Sequence, residues 1–171
     1  MPFSYWAHLG GLVVLFGLLY PHQAAAQVAI HPDAVPPRTK EAFRQAASLD
    51  APTRWLSYRK QRHYTASYAD SMGRELRLRI DEEGRLITKA EWLRYNEMPD
   101  TVLAQTEAER PGWRFRKGAR IYDFRTDRLL FKVLVSRGGE MHPLVFDRKD
   151  WRYIPYQQYD DVLLQEGNLE Q

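Results

Sequence analysis

The chain has 171 residues, 44% of them hydrophobic, with 25 basic against 22 acidic side chains, a net charge of +3 and no cysteine. Absence of cysteine excludes disulfides, thiol catalysis and zinc–thiolate sites, and a chain of this length builds a core without such staples. The charge balance is too even to point to nucleic acid, although 19 arginines against 6 lysines favour planar recognition of carboxylates or other anions.

The chain opens with a 12-residue apolar run, Leu9 to Tyr20, followed by Pro21 and Ala24-Ala25-Ala26. A spanning helix needs about 20 residues and a signal h-region only about 7–15. Residues 1–26 therefore read as a signal peptide cleaved before Gln27, which places the mature protein in the periplasm or outside the cell, with no membrane contact after cleavage. No Lys or Arg precedes the run, so an uncleaved anchor stays open as the alternative. Residues 27–35 read as a flexible lead-in.

Pro36-Pro37 opens a helical pattern in which Phe43, Ala46 and Ala47 share a face. Strands are expected at 54–58 and 64–68. Glu75 to Ile80 alternates most cleanly, with Leu76, Leu78 and Ile80 toward a core and Glu75, Arg77 and Arg79 toward water. Thr88-Lys-Ala-Glu91 has the form of a capping box and predicts a helix through Trp92 and Tyr95. Met98-Pro99 opens another helix that ends near Arg110-Pro-Gly112. Strands resume at 113–116, 120–124, 129–135, 141–146, where Pro143 marks an edge or bulge, and 151–154. Residues 157–171 form a polar tail with one apolar patch, Val162 to Leu164.

The two halves repeat their landmarks. Val35-Pro36 recurs 63 residues on as Met98-Pro99, and Ile80-Asp81 recurs 66 residues on as Phe146-Asp147. The expected fold is α+β: two tandem units, 36–97 and 98–156, each a helical segment on a four-stranded antiparallel sheet.

Chemistry-bearing patterns are sparse. Asp81-Glu82-Glu83 lacks calcium-loop spacing and reads as a solvated turn. His31, His63 and His142 have no metal-ligand spacing, no serine sits in a nucleophile elbow, and Arg137-Gly-Gly reads as a hairpin turn. No cofactor is implied. The suggestive stretches are Trp113-Arg-Phe-Arg116, where basic and aromatic residues alternate, and the Arg77/Arg79 face. Arg77, Arg79, Trp113, Arg114 and Arg116 are thus the candidate ligand-binding residues.

The landmarks also resemble a family. Val35-Pro36, Trp55, Tyr64 to Tyr68, Gly73 and Leu76 to Gly84 in the first half are followed by Met98 to Val102, Gly112-Trp113, Phe131 to Val135 and Leu144 to Asp147. This order is similar to the PepSY-like family of exported bacterial proteins, related in fold to β-lactamase-inhibitor-like repeats, over about residues 34–155. Asp150 stands where the pattern expects a glycine, and Pro143 interrupts a strand. The resemblance implies a non-catalytic binding protein that engages an envelope protein, a peptide or a small anionic ligand on its sheet, with inhibition of an envelope peptidase as the concrete version. An envelope hydrolase and a structural accessory protein are the alternatives.

Overall fold

The computed structural model describes residues 27–58 and 62–155; the expected signal peptide and C-terminal tail lie outside them. Nine strands are formed: β1 (Gln27–Ile30), β2 (Arg54–Tyr58), β3 (His63–Ala69), β4 (Glu75–Asp81), β5 (Leu86–Leu93), β6 (Arg114–Asp123), β7 (Arg128–Arg137), β8 (Glu140–Asp147) and β9 (Tyr153–Ile154). They make one antiparallel sheet in strict sequence order, joined by hairpins except where helix α1 (Pro37–Ala47) and helix α2 (Asp100–Glu109) intervene.

This corrects the expected fold. The protein is largely β, with one continuous sheet rather than two helix-plus-four-strand units. β5 and β6 pair across the expected unit boundary, from Thr88↔Asp123 to Leu93↔Gly118, and hydrogen bonding runs through unbroken. Residues 88–93 belong to strand β5 rather than a helix, and only Tyr95–Glu97 makes a short 3-10 turn. The expected flexible lead-in pairs its first four residues with β2, from Gln27↔Tyr58 to Ile30↔Trp55.

Both helices pack on the same face of the sheet. Phe43 of α1 meets Trp55 and Tyr68 edge-on at 5.6 and 5.4 Å, above Leu76, Leu78 and Ile80 of β4. Ala46 is exposed, so the inner face of α1 is carried by Thr39 and Phe43, with Ala42 and Ala47 at its flanks. Under α2, Met98 and Val102 pack on Phe131, Val133, Val135, Leu144 and Phe146. The two clusters use one physical device, alternate residues of each strand turned toward a helix.

The other face carries no described helix. Cross-strand register gives it Thr65 and Ser67 of β3, Arg77 and Arg79 of β4, Ala90 and Trp92 of β5, Ala119 and Ile121 of β6, Leu130 and Lys132 of β7, and Val145 of β8. β9 pairs with Val145 and Phe146, so among the described residues β8 from Glu140 to Leu144 runs past it unpaired on that side, and Pro143 sits on that stretch.

Candidate functional site

The strands place the five candidate residues in three surroundings. Arg79, expected to face water, is 1% exposed on the helix-free face. The period of two places it on the face expected, but at this position the face is closed to water. Arg77, on the same face, holds its guanidinium 5.2 Å from the centre of the Trp92 ring and 3.5 Å from Glu75. Lys117 of β6 approaches the same indole at 4.1 Å, a partner the sequence did not reveal. Burial pushes the Lys117 ammonium below its ordinary range, and Arg77 adds to that shift while Glu75 opposes it. Each cation is held to the indole by the ring's negative quadrupole.

Trp113 packs against the α2 core, with the Arg110 guanidinium 5.8 Å from its ring and His142 edge-on at 6.1 Å. Its ring is half-buried among these contacts.

Arg114 and Arg116 do come together. Strand β6 bulges between Phe115 and Lys117, where Arg116 is the extra residue. The bulge returns Arg116 to the side of Ser136, and Arg116 Nε donates to Ser136 Oγ at 2.5 Å. Arg114 is the register partner of the same serine. Both arginines line an open hollow of about 530 Å³ with Gly112, Ser136, Arg137, Gly138, Gly139 and Met141. Arg137 had passed as part of a turn. It does border the turn, because Gly138 and Gly139 (φ 59° and 90°) close the β7–β8 hairpin in a conformation that favours glycine at both positions. Arg137, next to that turn, also lines the hollow.

Three arginines therefore share a lining that, among the described residues, includes no Asp, Glu or His. A guanidinium cannot shed its charge near neutral pH, so such a lining attracts an anion and lacks a general acid or base. Ser136 Oγ already accepts from Arg116 and has no base among the described lining residues to activate it. Among the described residues no cluster of three His, Asp or Glu side chains could hold a metal ion.

His142 lies behind this site, on the helix side of β8. Its Nε2 is 2.9 Å from an Arg110 nitrogen, and burial followed by the Arg110 charge pushes its pKa below the ordinary value. Burial, then Arg79, lowers that of His63 in the same sense. The unfolded chain thus takes up protons first as the pH falls through about 6.5. Stability present above that point drains away as the pH drops toward the folded-state values. Thermal melts should show the midpoint falling from pH 7.5 to 5.5, and the fall should shrink in His142→Gln, which keeps an acceptor for Arg110. An unchanged slope would remove His142 from this role.

No family model matches the sequence, and no curated protein matches it. Solved structures share the fold. A candidate periplasmic protein from Bacteroides eggerthii superposes with a TM-score of 0.60 at 16% identity, covering 75% of this chain and 94% of the other. A DUF2874 family protein from Bacteroides ovatus gives 0.59 at 13% identity, covering 75% and 93%. A BLIP-like protein from Bacteroides fragilis gives 0.57 at 18% identity, covering 72% and 88%. At these identities the similarity is one of fold.

Proposed function

We propose that this chain is an exported, non-catalytic binding protein of the periplasm, and that the hollow between β6, β7 and β8 takes an anionic group of a protein, peptide or small ligand. The observation that carries the reading is the convergence of Arg114, Arg116 and Arg137 around one open cavity, with no acidic side chain among the described lining residues. A candidate periplasmic protein and a BLIP-like protein among the structures of similar fold support the compartment and the binding role. Inhibition of an envelope peptidase is the form that the PepSY-like resemblance adds. A hydrolase is the weaker reading, since no acid–base pair stands among the described residues of the hollow.

The test is titration of a fluorescent hexa-aspartate peptide at low salt, comparing the native chain with an Arg114→Glu/Arg137→Glu double variant. Arg116 is left in place because it holds Ser136. Loss of the paired charges should weaken binding by at least about tenfold, and added salt should weaken the native complex. Equal affinity in both proteins would sink the hollow as the site. Reversing Arg77 and Arg79 is a poor probe of binding, because Arg79 is buried and its reversal would disturb the sheet.

A further inference from the structure

At the β3–β4, β4–β5 and β6–β7 hairpins an arginine already holds a carboxylate. Arg74 meets Asp70 at 2.6 Å, Arg85 meets Asp81 at 2.6 Å and Arg125 meets Asp123 at 2.9 Å. The β7–β8 hairpin is different. Among the described residues the guanidiniums of Arg137 and Arg114 have no hydrogen-bond or ion-pair partner. Glu140, the register partner of Arg137 across the turn, lies outside the lining and makes no ion pair with it. Arg116 uses its Nε on Ser136 and keeps both terminal nitrogens for a ligand. All three arginines are exposed. Three fixed positive charges thus face one cavity, and an entering anion has no existing carboxylate pair to break.

The hollow also has more room than one carboxyl group fills. Its volume of about 530 Å³ falls within the roughly 300–1,000 Å³ of sites for small organic molecules. Gly112, Gly138 and Gly139 line it, and a Cβ placed on any of them would meet nothing within 4 Å. The rim is open there, so the body of a ligand can extend outward. Met141, 44% exposed on the same lining, offers that body an apolar contact. A carboxylate brings one charge and two oxygens. A phosphomonoester brings a charge of about −1.5 to −2 near neutral pH and three acceptor oxygens, which suits three guanidinium forks.

We propose, resting on the anion-site reading above, that the hollow takes a phosphomonoester dianion, its phosphoryl oxygens among Arg114, Arg116 and Arg137 and its organic body over the glycine rim and Met141. A soluble phosphorylated molecule and a phosphatidic acid headgroup share this chemistry, and the two sources separate by experiment.

The test is calorimetric titration of the full chain at pH 7.5 and low salt with phenyl phosphate, phenyl sulfate and benzoate. Phenyl sulfate keeps the ring and the tetrahedral oxygens but carries a single charge. Phenyl phosphate should bind at least about fivefold more tightly than either of the others, and added salt should narrow the difference. Equal affinities overturn the phosphomonoester assignment and leave the anion site standing. The Arg114→Glu/Arg137→Glu variant should lose the preference, and a preference that survives it places the phosphate elsewhere and overturns the proposal. A native chain that takes up hexa-aspartate but not phenyl phosphate overturns the proposal alone, whereas uptake of neither removes the anion site with it. Vesicles containing phosphatidic acid identify the source: capture by them supports a lipid headgroup, and binding of phenyl phosphate without capture supports a soluble ester.

Discussion

Phe43→Ala is expected to destabilise the protein by about 3–5 kcal/mol, the usual cost of emptying a phenylalanine site in a closed core. Phe43 is 1% exposed and is the principal apolar anchor of α1. Its ring meets Trp55 and Tyr68 edge-on, so truncation removes two aromatic contacts as well as buried area. α1 has little else to hold it. Its N-cap is Pro36, which makes no side-chain capping bond, and its anchoring polar contact is Thr39 Oγ1 donating to the Asp81 carbonyl at 2.8 Å. Urea unfolding followed by circular dichroism and by tryptophan fluorescence measures the loss. Because β5 and β6 pair in full, both probes should report one transition at a lower midpoint. An early partial transition that spares the Phe131–Trp151 half would mean that the continuous sheet does not unfold as one unit.

Glu91→Lys is expected to cost about 2–3 kcal/mol. Removing one partner of a buried ion pair costs roughly 3–5 kcal/mol, and this figure is lower because the two arginines concerned keep over a third of their side chains in water. Glu91 sits on the helix side of β5, opposite Leu76 on β4 and Arg120 on β6. One of its carboxylate oxygens is 2.5 Å from Arg74 and the other meets Arg120. A lysine there would leave three cations together at the centre of the sheet. Glu91→Gln should cost less, since the amide oxygen still accepts one bond. Thermal denaturation of both variants checks the order. Equal losses would show that packing rather than charge is what matters at this position.

β5 explains why part of the fold was hidden in the sequence. Thr88, Ala90 and Glu91 suit a helix start, and that local preference is real. It is overridden because β5 is paired along both edges, to β4 and to β6, and no local pattern reports partners so far along the chain. β4 was legible because one of its faces meets a helix, which stamps Leu76, Leu78 and Ile80 at a period of two. The same alternation misassigned Arg79. A period of two says which residues share a face, not whether that face is covered. The hollow was half legible: Arg114 stood out by alternating with aromatics, whereas Arg137 reaches the site only through the pairing of β7 with β8, which a Gly-Gly turn does not announce. The bulge at Arg116 leaves no sequence mark at all.

Pro143 has a bearing on how the molecule behaves among its own copies. Among the described residues, the stretch of β8 that outruns β9 is an unpaired border of backbone, the kind onto which a neighbouring chain could stack and begin a fibre. A proline there offers no hydrogen for the incoming strand, and the two glycines next door bend the border's far end into a tight turn. The residue that departs from the expected strand pattern thus denies an incoming strand one hydrogen bond on the stretch of β8 that β9 leaves uncovered among the described residues.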